Sequence, residues 1–203
     1  MKEAILKSIH ECIEAARKLS EPQSIQFIED AATMISSCLA GGNKVLIAGN
    51  GGSLSDATHF AEELTGYFRK HRRALPAIAI SDPAHITCTA NDTDFSQVFA
   101  RGIEALGVSG DVFIGLSTSG NSENIVKAME LAKSLEMKTI AFLGKGGGKL
   151  RGYADLELCI DGFPTSDRIQ EAHMASMHVI IEMIEYKLFQ TDEVVSAESL
   201  SAQ

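Results

Sequence analysis

Apolar residues recur at every third or fourth position through the first forty or so residues. Ile5, Ile9, Cys12, Ala16 and Leu19 form one stripe, and Ile28, Ala32, Ile35 and Leu39 form a second, the spacing of amphipathic helices. The pair breaks near Glu21-Pro22 and ends at Gly41-Gly42. Beyond that point the period changes. Five short apolar runs follow, Lys44–Ala48, Ala77–Ile80, Val112–Leu116, Thr139–Leu143 and Leu156–Ile160. They are rich in Ile and Val and flanked by Gly, Asp or Ser, as buried parallel strands are. Helical patterns fall between and after them, over Ser55–Tyr67, Asp94–Leu106, Asn121–Leu135 and Asp167–Leu188.

This alternation predicts an α/β fold: a three-layer αβα sandwich on a parallel, five-stranded sheet, preceded by an N-terminal helical pair. The opening pair lies outside the rhythm and needs a surface for its stripes, either a second subunit or its own sheet. The domain is expected over 1–190, with a small, polar, acidic tail over 191–203 expected to be disordered. There is no internal repeat or low-complexity segment.

Composition narrows the partners. Hydrophobic residues at 45% and charged residues at 22% suffice for a core without staples. The net charge of −9, from 18 Lys plus Arg against 27 Asp plus Glu, argues against nucleic acid or an anionic membrane as partner. An anionic ligand would therefore have to be attracted locally. Cys12, Cys38, Cys88 and Cys159 are scattered without a CxxC pair, and read as buried reduced thiols. The charged N-terminus lacks a signal-peptide pattern and no apolar run is long enough to span a bilayer, so a cytoplasmic location is expected.

Two loops carry the chemistry. The first strand runs into Gly49-Asn50-Gly51-Gly52-Ser53 and the third into Ser117-Thr118-Ser119-Gly120-Asn121-Ser122, each followed by a helix. Ligands of open α/β sheets bind at that carboxyl edge. Glycines admit close approach, hydroxyls donate hydrogen bonds, and helix N-termini offer unpaired N–H groups to an anion. Four hydroxyls within the second loop favour phosphate over carboxylate. Leu54 stands where a dinucleotide fingerprint needs glycine or alanine, and Gly144–Lys149 has neither the spacing nor the hydroxyl of a P-loop. That second glycine run reads as a turn.

His59 and Glu63 share one face of the helix after the first loop. Such a pair binds a divalent metal, places a carboxylate base by a substrate, or is a surface pair. Glu62, His10 and His71 read as surface residues, while His85 is ambiguous. On the last helix, His178 falls among Met174, Met177, Ile180, Ile181 and Ile184. It is either a satisfied core histidine or a functional one, and Gln170 either packs or binds. Gln170 and His178 are separated by about 12 Å of helical rise, too far to share one ion easily unless two subunits contribute.

Taken together, GNGGSLSDATHFAEELTG at 49–66, LPAIAISD at 75–82, AND at 90–92, GDVFIGLSTSGNSENI at 110–125 and DRIQEAHMASMH at 167–178 resemble the bacterial phosphoheptose isomerases of the sugar-isomerase (SIS) domain family. The resemblance implies an SIS-type, flavodoxin-like sheet. It also implies conversion of sedoheptulose 7-phosphate to D-glycero-D-manno-heptose 7-phosphate through an enediol, toward ADP- or GDP-heptose for lipopolysaccharide or other surface polysaccharide. A homotetramer with sites at subunit interfaces is implied, with one zinc per subunit and no redox cofactor.

By position, the family's phosphate contacts fall on Ser117, Thr118, Ser119 and Ser122, with Asn50, Gly51, Gly52 and Ser53 nearby. Its sugar contacts fall on Asn91, Asp92 and Gln170. Glu63 and His178 match the acid–base pair, and His59, Glu63, Gln170 and His178 match the zinc ligands. Tyr67 stands where the family often has arginine, for which Arg69 is a substitute, and Thr93-Asp94-Phe95 also departs from the family pattern.

Other readings are a non-catalytic relative that binds the bacterial replication initiator, a sugar-phosphate-sensing regulatory domain, and an isomerase of a ketohexose or pentose phosphate. The resemblance gives the initiator-binding branch neither the glutamate nor the histidine that stand here as Glu63 and His178. The regulatory domain usually accompanies a DNA-binding segment, for which this acidic chain leaves no room.

Overall fold

The computed structural model describes residues 1–189; the tail expected at 191–203 lies outside them. In chain order the elements are α1 (Lys2–Arg17), α2 (Pro22–Ala40), β1 (Val45–Ala48), α3 (Gly52–Thr65), β2 (Ala77–Ala79), α4 (Pro83–Asp92), α5 (Val98–Leu106), β3 (Val112–Ser117), α6 (Glu123–Ser134), β4 (Lys138–Gly144), β5 (Leu156–Ile160) and α7 (Ser166–Phe189). The five strands are all parallel and lie in the order β2-β1-β3-β4-β5.

Alternation along the buried strands divides the core in two. Val45 and Ile47, Val112, Ile114 and Leu116, and Ile140 and Phe142 face one side. Leu46 and Ala48, Phe113, and Ala141 and Leu143 face the other. The first side is covered by α2, α3 and α7 through Phe27, Ile35, Phe60, Leu64, Ile169 and Ile181. On the second, α5 and α6 supply Val98, Phe99, Ile103, Ile125 and Met129. These are the three expected layers.

The opening helices separate in role. α2 lies on its own sheet through buried Phe27, Ile28, Ala31, Ala32 and Ile35. α1 rests on α7, and Ala15 is its one buried residue. Ile5, Leu6, Ile9 and Ile13 stay 42–51% exposed, an apolar stripe without cover in one chain.

Some boundaries differ from expectation, each for a local reason. α3 starts at Gly52 rather than Ser55 because Gly51 takes φ +56°, which turns the chain directly into the helix. α4 was not expected at all. Asp82 caps it by accepting the His85 N–H at 2.7 Å, and Pro83 occupies its first position. The helix expected from Asp94 begins at Val98, after a 3₁₀ turn over Phe95–Gln97. α6 starts at Glu123, with Ser122 as its cap position. The thiols are less uniform than expected: Cys38 is buried, Cys12 and Cys159 are half-buried, and Cys88 is exposed.

Candidate functional site

The order of the sheet decides where a ligand can sit. β1 and β3 are neighbours, while β2 and β4 lie outward on opposite sides, so the switch point of the sheet falls between β1 and β3. The loops that leave these strands are the two glycine- and serine-rich loops. Asn50 of the first and Asn124, in the first turn of α6, exchange two amide hydrogen bonds of 2.9 Å each. The loops are thereby fastened side by side.

The serine loop is preformed by its own hydroxyls. Ser117 Oγ donates to Ser122 Oγ at 2.9 Å and accepts the Ser122 N–H at 3.4 Å. Ser119 Oγ accepts the Asn121 N–H at 3.2 Å, and Thr118 Oγ1 donates to Ser166 Oγ at 3.1 Å. The first N–H groups of α3 and α6 have no partner within their helices. Hydroxyls and helix N-termini thus meet at the switch point of the sheet, an arrangement that binds anions.

The glycine run 144–149 is indeed a turn, but it belongs to the site. Gly120 has φ +65°, and a Cβ there would lie 1.7 Å from the Gly147 carbonyl oxygen. The turn therefore packs directly on the serine loop, and Asn121 Oδ1 accepts the Lys149 N–H at 3.1 Å. Lys145 sits in the left-handed region at φ +51° with its Nζ 3.4 Å from Ser166 Oγ. It brings a cation to the rim of an otherwise neutral cradle. Sequence reasoning missed it because Gly144–Lys149 matches no phosphate-binding motif.

Gln170 donates to Ser53 Oγ at 3.1 Å and lies against Gly52. Further along the same two helices, His59 Nε2 is 3.3 Å from Glu63 Oε1. The imidazoles of His59 and His178 meet edge to face with centroids 5.1 Å apart. Ligand-capable atoms of His59, Glu63 and His178 all lie within 4.8 Å of one another. Phe68 stacks on the His178 ring at 5.8 Å and 16°, a contact that sequence pattern gave no means of finding. His178 is half-buried against His59; His173 is the buried histidine of this helix.

Since 53 pairs with 170 and 59 with 178, α3 and α7 run in the same direction. Gln170 accordingly engages the loop end of the helix pair, one step removed from the histidines.

Two imidazoles and one carboxylate this close are a donor set suited to a catalytic zinc, which keeps a further position open. Asp56, one turn before His59, is half-buried with Oδ2 unpaired among the described residues, and burial pushes its carboxyl up to about 6 against the opposing charge of His59.

Three expected contributors make other contacts among the described residues. Asn91 and Asp92 end α4 in solvent, where Asn91 Nδ2 donates to Asp92 Oδ1 at 2.8 Å and Cys88 Sγ lies 3.3 Å from Asp92 Oδ2. Arg69 is not a free substitute for the arginine replaced by Tyr67, because its guanidinium pairs with Glu182 of α7. Tyr67 is exposed and its ring meets that of His71 at 4.6 Å, tilted by 55°. His85 is accounted for by a 2.9 Å bond to the Val98 carbonyl.

Residues 8–144 match the SIS domain family. The phosphoheptose isomerase of Fusobacterium nucleatum is 54% identical over 84% of this chain and 88% of its own. That of Vibrio cholerae is 53% identical over 84% and 89%. Among solved structures, the phosphoheptose isomerase of Francisella tularensis superposes with TM-score 0.85 at 38% identity, covering 91% of this chain and 97% of that one. The Neisseria gonorrhoeae phosphoheptose isomerase gives TM-score 0.82 at 35% identity, covering 90% and 98%.

Proposed function

The chain belongs to the SIS domain family and, within it, to the phosphoheptose isomerases, and from that premise we propose that it converts sedoheptulose 7-phosphate to D-glycero-D-manno-heptose 7-phosphate. The observation that carries this reading is the meeting of Glu63 with His178 and His59, within 4.8 Å, on α3, which begins at the glycine-rich loop, and α7, whose first residue Ser166 accepts a hydrogen bond from Thr118 of the serine loop.

Isomerisation moves one proton from C1 to C2 of the open-chain sugar through an enediol, with no net oxidation. Glu63 takes the C1 proton and returns it to C2. His178 moves protons between the two oxygens, and its tilt is fixed by Phe68. Ser117, Thr118, Ser119 and Ser122 hold the phosphate with the amides of 50–53, and Lys145 adds the positive charge that an acidic protein otherwise lacks there. Gln170 contacts the sugar, as do Asn91 and Asp92 where a neighbouring subunit brings its site against the end of α4. One zinc per subunit would be held by His59, Glu63 and His178, with Gln170 from a neighbouring subunit, and would supply Lewis-acid chemistry there.

The assembly is a homotetramer with shared sites. Glu63 lies eleven residues beyond Gly52, about 16 Å of rise, and His178 twelve beyond Ser166, about 18 Å. A neighbouring subunit that brings its cradle to this acid–base pair closes the gap, and the exposed stripe Ile5, Leu6, Ile9 and Ile13 supplies apolar surface for such contacts. Residues 1–190 act as one domain in the cytoplasm, and the product feeds nucleotide-activated heptose for surface polysaccharide.

The test is incubation of the protein with sedoheptulose 7-phosphate, following the aldose proton at C1 by NMR. Formation of a heptose 7-phosphate is expected; turnover of ketohexose or pentose phosphates alone would replace the substrate assignment.

A further inference from the structure

The turn of α3 that carries Glu63 has no cap of its own. The helix ends at Thr65, and Gly66 N–H closes back on the Glu62 carbonyl at 2.7 Å. The carbonyls of Glu63 and Leu64 point past the helix end, where they need donors from elsewhere. One side chain supplies a donor to each, and the Leu75 N–H adds a second to the Leu64 carbonyl at 2.9 Å. Arg72 donates from Nη2 to the Glu63 carbonyl at 2.7 Å and from Nη1 to those of Leu64 at 2.9 Å and Gly66 at 3.1 Å.

The guanidinium Nε–H donates to Glu185 Oε1 at 2.7 Å, and the pair is almost wholly buried, at 1% and 4% exposure. Glu185 lies on α7, two turns beyond His178. Its second oxygen accepts the Arg69 N–H at 3.3 Å, so the loop between Gly66 and Arg72 is held by the same carboxylate.

From this geometry we infer that Arg72 is a positioning residue for the acid–base pair. Its guanidinium completes the last turn of α3 and, through Glu185, sets that turn against α7 so that Glu63 meets His178. This rests on the roles given above to Glu63 and His178. A buried ion pair adds little net stability over apolar residues of similar volume. A planar fork supplies something apolar residues do not: several directional bonds from one rigid group, here linking two helices. The cationic group also lies at a helix C-terminus, where the dipole favours it.

The test uses the full-length protein and four variants: Arg72→Lys, Arg72→Met, Glu185→Met and the double variant Arg72→Met/Glu185→Met. Melting temperature, amide hydrogen exchange over 62–66, and kcat and KM for sedoheptulose 7-phosphate are measured on each. Either Met substitution alone leaves a buried charge and is expected to destabilise. The double variant removes both charges and is expected to melt within a few degrees of wild type, yet to exchange faster over 62–66. Its kcat is expected to fall by about tenfold or more with KM within about twofold, the pattern of misplaced catalytic groups. Arg72→Lys keeps the charge but not the fork, and is expected to show the same loss of kcat.

If the double variant regains wild-type kcat with its stability, the pair is structural only and the inference falls. Unchanged exchange over 62–66 overturns it as well. Should the wild-type protein fail to turn over this substrate, the reaction assignment fails instead, and the exchange data alone decide whether Arg72 completes the turn.

Discussion

Asn50 and Asn124 grip each other through two reciprocal amide hydrogen bonds of 2.9 Å, although 74 residues separate them in the chain. Asn124 is buried at 3% exposure, so truncating it strands the Asn50 amide. Asn124→Ala is expected to destabilise by about 1–3 kcal/mol. It should also loosen the first loop against α6, raising KM for the sugar phosphate more than it lowers kcat. Denaturant melts and initial rates on the same sample check both halves.

The two glycine loops respond differently to a methyl group. At Gly120 an alanine must adopt φ +65° and would also put Cβ 1.7 Å from the Gly147 carbonyl oxygen. At Gly51, with φ +56°, a Cβ meets nothing within 4 Å. Gly51→Ala meets no clash but must hold φ +56° with ψ −122°, a conformation close to glycine-only, and should cost backbone strain of about 1–3 kcal/mol. Gly120→Ala should cost more and forfeit binding of inorganic phosphate, because the serine loop and the 144–149 turn cannot keep their contact. Calorimetric titration with phosphate distinguishes the two.

His173 gives the fold a pH dependence. The ring is fully buried, bonds the Leu143 carbonyl through Nε2 at 2.8 Å and leaves Nδ1 unpaired among the described residues. Burial lowers its pKa from 6.5 to about 4. Below the unfolded value the unfolded chain takes up a proton that the folded one refuses. Stability from this group is therefore full above about pH 6.5 and lost as the pH falls toward 4, by about 3 kcal/mol in all. Asp56 has the opposite sign, its raised carboxyl favouring the fold at low pH and losing that contribution as the pH rises through about 6. The two partly offset each other, so the informative quantity is a difference. Stability of wild type minus His173→Gln, measured by urea unfolding from pH 4 to 8, should decline on acidification with the midpoint between those pKa values.

The donor set on α3 and α7 predicts metal dependence. Dialysis against a chelator should lower kcat, and zinc should restore it. Zinc at a hundredfold excess over Kd should add about 2.7 kcal/mol to unfolding. Cobalt in its place should give a visible d–d band that His59→Ala abolishes. The band tests the ligands independently of turnover.

Much of this was legible in the sequence. The alternation of Ile- and Val-rich runs with helical stripes sufficed for the sheet, since buried parallel strands and amphipathic helices differ in period. The two loops were legible because glycine and serine cluster at strand ends there. α4 escaped because its apolar stripe, Ile86 and Ala90, is short, yet the Asp82-Pro83 start was on view. Lys145 was hidden by its neighbours: a turn of glycines says nothing of the loop on which it packs. Arg72 and Glu185, 113 residues apart, carry no local signal, since a tertiary helix cap exists only once both helices are in place. Asn91 and Asp92 show the limit of a single chain, for their proposed partner surface belongs to another subunit.

The most direct measurement is the rate at which wild type and Glu63→Gln each convert sedoheptulose 7-phosphate, with folding checked by circular dichroism. A positioned base contributes on the order of 10²–10⁴-fold, so the variant should fall by at least about a hundredfold while still binding the sugar phosphate. Wild-type turnover by a folded Glu63→Gln would contradict the account.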